Sequence, residues 1–257
     1  FVSASPSQLR RVIEKKMLID GVEFDGITFK DQLTLLRNGR VSALKHHVAY
    51  KLSALLLNRA ELPWAVVEST FGDDTETDAL IYALYADIVS GRLRGSMLAN
   101  TLRLNGCSED DCSYVARLAG HLRCAELVDT IYIHLKRRTP PSAFHSFGPR
   151  VLPCYDTLQM MLHLLSRGCV SRDQVLELAT SLVTTEARTT VGIARSCFDI
   201  VERRRVSPEL LADLWDDLKR EHLVPQHTAI QSGGHPTLST SAATGFVTPS
   251  RFLDLTD

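Results

Sequence analysis

Apolar positions in the first 135 residues follow two different spacings in turn. Runs in which they recur every three or four residues, as in an amphipathic helix, alternate with short runs rich in β-branched and aromatic residues, as in strands. The predicted helices begin at Ser5-Pro6 and cover about 42–58, 77–89 and 108–122. The predicted strands end at Ser3 and cover 64–71 and 129–135, and residues 22–29 are predicted to form a short strand or an extended loop. This alternation predicts an α/β fold with a parallel sheet.

The second part of the chain has a helical pattern throughout. Apolar residues keep helical spacing from Tyr155 to about Leu223, and Ser171 and Ser207-Pro208 are typical of helix starts. The residues that follow are rich in Ser, Thr, Gly and His, a composition typical of disorder. We therefore predict three segments, namely a partial α/β core over 1–153, a helical extension over 154–224 and a disordered tail over 225–257.

Composition narrows the classes of function. The 257 residues include 29 basic and 30 acidic side chains, so the net charge of −1 gives no support for binding to nucleic acid. Six scattered cysteines in a chain of this length are typical of reduced thiols and favour a cytoplasmic protein. No apolar run approaches the roughly 20 residues that span a bilayer. The chain opens at Phe1 on what reads as the end of a buried strand, which predicts a fragment of a longer protein.

Polar groups suited to phosphate chemistry lie at the first predicted strand end, where parallel sheets bind ligands. Ser3 ends that strand, and Ser5-Pro6 start a helix whose free N–H groups would attract an anion. Ser3 or Ser5 could donate a hydrogen bond to a phosphoryl oxygen. The alternative is that Ser5 only caps the helix.

Acidic residues crowd the end of the strand predicted over 64–71. Asp73, Asp74, Glu76 and Asp78 lie within six residues of one another. Hard oxygen ligands at this density suit Mg²⁺, which binds a few carboxylates and keeps waters for a substrate phosphate. The alternative is a solvated acidic turn in which Asp or Thr caps the next helix.

Lys51 falls inside the apolar face of the helix predicted over 42–58. That face consists of Leu44, Val48, Leu52 and Leu55. A buried ammonium needs an anionic partner. Carboxylates at the neighbouring strand end, with a phosphate between them, would supply one. The alternative is a lysine whose ammonium extends to water.

These features occur in the order serine, lysine, then Gly-Asp-x-x-x-x-Asp, which resembles the second, third and fourth motifs of the haloacid-dehalogenase (HAD) superfamily. More narrowly, the chain is similar to the catalytic domain of actin-patch-associated phosphatidate phosphatases and their bacterial relatives. The residues that carry this similarity are Val2–Pro6, Tyr50–Leu52, Gly72–Asp74 and Ile81-Tyr82, within a stretch of about 1–135. The resemblance implies a parallel Rossmann-like core that lacks its first strand.

The resemblance also implies a Mg²⁺-dependent phosphohydrolase acting on a small-molecule or lipid phosphomonoester. A phosphatidate-like lipid is one candidate substrate. In that mechanism the phosphoryl group passes to an aspartate, and water then hydrolyses the aspartyl-phosphate. Ser3 would bind a phosphoryl oxygen, and Lys51 would hold the nucleophile and the phosphate together. Asp73 would be the best metal ligand, with Asp78 or Asp74 as the second acidic group.

Two departures from the family pattern leave alternatives open. The first motif, Asp-x-Asp-x-Thr/Ser, should precede Phe1, so the nucleophile is expected upstream and this fragment alone is expected to be inactive. Glu68 interrupts a strand that is usually apolar, which indicates a shifted strand boundary, a displaced ligand or decay of the site. The rival hypotheses are a non-catalytic HAD-like binding or regulatory module and a helical interaction module over 155–223.

Overall fold

The computed structural model describes residues 1–30 and 47–227. The start of the helix predicted over 42–58 and almost all of the tail predicted over 225–257 lie outside the described residues. The chain divides into two compact units. Their described parts are 1–30, 47–70 and 76–131 in the first unit, and 71–75 with 132–227 in the second.

Parallel strands form two small sheets in the described part of the chain. The strands are β1 (Val2–Pro6), β2 (Thr28–Lys30), β3 (Glu68–Asp73), β4 (Val128–His134) and β5 (Val151–Cys154). Strand β1 pairs in parallel with β2, and the second sheet has the order β3-β4-β5. Main-chain bonds from Glu68 to Leu127 and from Asp74 to His134 advance along β3 and β4 in the same direction. The predicted α/β class with parallel strands is therefore confirmed.

Five helices of the described residues belong to the first unit. They are α1 (Arg10–Ile19), α2 (His47–Glu61), α3 (Asp78–Ser90), α4 (Gly95–Leu104) and α5 (Glu109–His121). Helix α3 is apolar on nearly all sides, and its residues from Asp78 to Val89 are mostly buried, as expected of a central helix. It ends at Ser90, and Gly91, with a φ of 85°, follows as the residue that closes the last turn. Ser108, at the predicted start of this helix, caps α5 through reciprocal hydrogen bonds with Asp111.

The second unit contains β5, a 3-10 helix over Pro141–Phe147 and four further α-helices among its described residues. These are α6 (Thr157–Ser166), α7 (Arg172–Thr184), α8 (Thr190–Glu202) and α9 (Pro208–Arg220). Ser171 and Ser207 cap α7 and α9, which confirms both predicted helix starts. Their apolar faces meet in one core that includes Leu162, Leu182 and Ile200. Independent folding of the helical segment stays a prediction.

Helix α1 begins later than Ser5-Pro6, and this part of the prediction is wrong. Strand β1 continues to Pro6, where it still pairs with Lys30 of β2. A short 3-10 turn over Ser7–Leu9 follows, and α1 starts only at Arg10. Ser5 therefore caps no helix, because the chain is extended there and the Ser5 N–H donates to Ser3 Oγ at 3.2 Å.

Strand β3 also begins later than predicted, at Glu68 rather than near Trp64. The buried Arg59 guanidinium donates to the main-chain oxygens of Pro63, Trp64 and Val66 at 3.0, 2.8 and 2.7 Å. These bonds direct the carbonyls toward one side chain, so the segment turns instead of joining the sheet. The apolar composition of 64–67 could not reveal this, since the donor is supplied by α2.

The structure bears on two expectations from composition, which concern the cysteines and membrane-spanning segments. All six cysteines are free thiols, and burial raises the pKa of Cys107, Cys154 and Cys197 to about 12. Those thiols are therefore protonated and poorly reactive. Among the described helices, none combines the length and apolarity needed to cross a bilayer.

A buried polar network supports the helices of the second unit. Asp156 is only 4% exposed, and it accepts hydrogen bonds from the Gln159 N–H at 3.1 Å, Ser196 Oγ at 2.5 Å and Arg188 Nη1 at 3.1 Å. Gln159 is itself fully buried and donates to the Ser196 carbonyl and to Asp199. One carboxylate thus caps α6 and joins it to α8.

We expect Asp156→Ala to lower the free energy of unfolding by about 3 kcal/mol, because it removes a cap and leaves Ser196 and Arg188 without their acceptor. Urea unfolding followed by circular dichroism measures the change. The control is Asp213→Ala, whose carboxylate is 76% exposed and 3.9 Å from Arg172, and which should cost less than about 0.5 kcal/mol. Equal losses in the two variants would contradict the importance of this network.

Candidate functional site

Lys51 is buried within the apolar face of α2, as its spacing predicts. The residue is 7% exposed, and Leu52 and Leu56 beside it are almost completely buried. Its amine donates to Asp78 Oδ1 at 2.5 Å and to Glu76 Oε2 at 2.6 Å. The lysine therefore does not extend to water. It meets two carboxylates of the acidic turn, all within the first unit.

The protonation of Lys51 depends on these two contacts. Burial by itself lowers the pKa of the amine, since a charge is poorly solvated there. Hydrogen bonds and charge attraction from Asp78 and Glu76 outweigh burial, so the pKa lies above its ordinary value. Lys51 is consequently a fixed positive charge over the whole physiological pH range.

Ser3 contacts helix α2 through Tyr50, the residue that precedes Lys51. The Tyr50 hydroxyl donates to the main-chain oxygen of Ser3 at 3.1 Å. Burial raises the pKa of Tyr50 to about 12, so this hydroxyl keeps its proton and remains a donor at neutral pH. Ser3, Lys51 and Asp78 thus all belong to the first unit. Ser3 Oγ accepts a hydrogen bond from the Ser5 N–H.

Asp73 belongs to the second unit, at the end of β3. Its carboxylate accepts from Lys136 Nζ and the Thr75 N–H at 2.8 and 2.9 Å, and also from the Thr75 hydroxyl. Partial burial favours the neutral acid, but these donors outweigh it and lower the pKa of Asp73 to about 2. The side chain is therefore an ionised, preordered oxygen donor at neutral pH.

Asp74 lies beside Asp73 but has a different set of partners. It accepts from the main-chain N–H groups of Arg137 and Thr139 at 2.9 and 3.2 Å, and from the Thr139 hydroxyl at 2.7 Å. All of these donors lie on the loop that follows β4. The carboxylate thus joins the ends of β3 and β4 within the second unit.

These contacts bear on the predicted magnesium ligands. Asp73 pairs with Lys136, Asp74 with the loop after β4, and Asp78 with Lys51. Across residues 1–30 and 47–227, no three His, Cys, Asp or Glu side chains are grouped closely enough to hold a metal ion. The described residues therefore do not form a Mg²⁺ site by themselves, and the assignment of Asp73, Asp74 and Asp78 as ligands stays a prediction.

Glu68 has a structural role that explains its presence in β3. It is the first residue of the strand, and its Oε2 accepts from Arg59 at 3.2 Å and from the Tyr85 hydroxyl at 2.7 Å. A shifted strand boundary is therefore the reading that fits the structure. Sequence reasoning missed Arg59, although it lies seven residues after Leu52 on the same helical face, the signal that identified Lys51.

Comparison with protein-family models, curated proteins and solved structures finds no significant match in any of the three.

We expect a double-mutant cycle on Lys51 and Asp78 to show strong coupling. Lys51→Met and Asp78→Asn should each destabilise the protein by about 3 kcal/mol, because each leaves a buried charge without its partner, and the coupling energy should be about 1–3 kcal/mol. Chemical denaturation of the three variants measures it. The same cycle on Lys16 and Asp20, whose side chains are 71% and 43% exposed, should give less than about 0.5 kcal/mol. A weaker coupling for the buried pair than for this control would contradict the assignment.

The pKa of Asp73 should respond to Lys136. We expect Lys136→Met to raise it from about 2 toward the ordinary 3.8, because the largest favourable contact of the ionised form is lost. A pKa lowered in the folded state stabilises the protein above the ordinary pKa, and this contribution disappears as pH falls from about 4 to about 2. Carboxyl ¹³C NMR titration measures the shift. Lys15→Met on α1 is the control of equal charge, and an identical shift in both would point to a general charge effect.

Proposed function

We propose that the chain belongs to a HAD-type, Mg²⁺-dependent phosphohydrolase acting on a small-molecule or lipid phosphomonoester. The observation that carries the proposal is the contact of buried Lys51 with Asp78 and Glu76. A fixed ammonium in a largely apolar helix face, facing acidic residues that follow a parallel strand, is an expensive arrangement for stability alone. It is the arrangement that an anionic substrate and an anionic nucleophile require.

The open edges of the sheets support a Rossmann-like HAD core. In the part of the chain that the structure describes, β1 pairs only with β2, and β3 pairs only with β4. Each therefore has one edge whose main-chain groups are available for a further strand. A strand with the sequence Asp-x-Asp-x-Thr/Ser, encoded upstream, could pair at such an edge and bring its aspartates to the carboxyl end of the sheet.

The chemistry follows from the residues in the first unit. An upstream aspartate oxygen would attack phosphorus, the bond to the alcohol would break, and water would later release phosphate from the aspartyl-phosphate. Lys51 would offset the charge shared by the nucleophile and the phosphoryl oxygens. Ser3 would donate its hydroxyl to one of those oxygens. Mg²⁺, when bound, would supply further charge stabilisation, with Asp73 as a predicted ligand and others from the upstream strand.

A non-catalytic binding or regulatory module is the second candidate. It is favoured by the observation that Asp73, Asp74 and Asp78 all have hydrogen-bond donors without a metal. The six free thiols favour the cytoplasm in either case. The two functions differ in whether a protein with the upstream strand turns over substrate.

We expect the longer protein with its upstream strand to hydrolyse para-nitrophenyl phosphate in the presence of Mg²⁺. Lys51→Met and Asp73→Asn should each reduce kcat/KM by about 100-fold or more, because a charge acting on the transition state is removed. Steady-state release of para-nitrophenol measures the rates.

Lys136→Met is the matched control for Asp73→Asn. It breaks the same ion pair from the other side and leaves the Asp73 carboxylate in place, so most of the activity should remain. If the longer protein contains an intact Asp-x-Asp strand and still shows no turnover, the binding module is the correct function. A full rate in Asp73→Asn would remove that residue from the metal site.

A further inference from the structure

The loop after β4 presents a run of basic residues at the ends of β3 and β4. Lys136, Arg137 and Arg138 are all exposed, and Thr139 is half-buried. The Lys136 amine pairs with Asp73 at 2.8 Å. Within residues 1–30 and 47–227, the guanidinium groups of Arg137 and Arg138 make no hydrogen bond or ion pair. Two positive charges therefore face solvent at the strand ends where ligands of such sheets bind.

Asp74 fixes the main chain of this loop. Three donors from Arg137 and Thr139 converge on its carboxylate, which is a strong set of charge-assisted bonds for an exposed loop. The Asp74 N–H in turn donates to the main-chain oxygen of His134, the last residue of β4. Both the main chain and the side chain of Asp74 thus hold β4 and its loop. A loop needed only as a connection would not require this.

Arg138 has a left-handed backbone conformation with a φ of 58°. The other described non-glycine residues with positive φ are Ala187, Arg204 and His222, and these follow the ends of helices α7, α8 and α9, where such residues are common. Arg138 follows a strand instead. Residues other than glycine rarely adopt this backbone conformation, and they keep it where surrounding contacts impose it. Asp74 supplies that constraint.

We propose that Arg137 and Arg138 form an oxyanion-binding site within the second unit, and that Asp74 is the positioning residue that holds them for it. The inference goes beyond the proposed function, because it requires no contact with Ser3 or Lys51. The ligand class is a compound that carries phosphate or carboxylate groups, since a guanidinium binds such oxyanions through two parallel hydrogen bonds. Asp74 then has a role other than metal ligation.

Inorganic pyrophosphate is the probe, because it carries two phosphoryl groups and requires neither metal nor turnover. Its affinity for the full chain is measured by isothermal titration calorimetry without divalent cations. We expect Arg137→Asn and Arg138→Asn each to weaken binding about tenfold, the loss typical of one charge-assisted contact. The matched control is Arg204→Asn, which removes an exposed arginine with a φ of 56° from the same unit and should leave the affinity unchanged.

Asp74→Asn separates positioning from simple charge. Removal of a negative charge near the anion would by itself strengthen binding, whereas loss of the loop geometry weakens it. Weaker binding in Asp74→Asn, with an unchanged melting temperature in both arginine variants, supports the proposal. Unchanged or tighter binding in Asp74→Asn, equal effects of Arg138→Asn and Arg204→Asn, or no pyrophosphate binding by the original chain would overturn it. Because this experiment measures binding and not hydrolysis, its result does not depend on the outcome of the phosphatase assay.

Discussion

The burial of positive charge in helix α2 is the constraint on which the first unit depends. Lys51 and Arg59 lie eight residues apart, about 12 Å along the helix, and both are buried. Each meets a carboxylate, Asp78 for the lysine and Glu68 for the arginine. Because an unpaired buried charge is costly, the two pairs determine where β3 begins and where the acidic turn runs into α3. The pairing of Lys51 with Asp78 is therefore a structural requirement of the first unit.

Three aspartates of similar appearance have three different environments. Asp78 compensates a buried amine, Asp73 accepts from an exposed amine and a threonine, and Asp74 accepts mainly from main-chain N–H groups. The Lys136 amine and the two Thr75 donors lower the pKa of Asp73 to about 2, so it is ionised at neutral pH. The acceptor oxygens of Asp74 maintain the course of the loop after β4. Residues of one acidic cluster in the sequence thus have different structural partners.

Differences between expectation and structure arise where a residue outside a segment supplies the hydrogen-bond partners of its main chain. The run from Trp64 to Val67 is apolar enough for a strand, but Arg59 takes three of the main-chain oxygens in this region. Ser5-Pro6 has the composition of a helix start, but pairing with β2 keeps the chain extended there. Strand β5 has only four residues and includes Pro153, so its short pattern could not be separated from a loop.

The sequence by itself determined the α/β class, the capped starts of α5, α7 and α9, and the burial of Lys51. Each of these depends on residues close together in the chain, since helical periodicity and capping act over three or four positions. Only the tertiary structure decided which carboxylate meets Lys51, that Glu68 compensates Arg59, and that Asp74 holds a basic loop 63 and 65 residues away. Ion pairs and hydrogen bonds act through space, and local spacing carries no information about which distant groups the folded chain brings together.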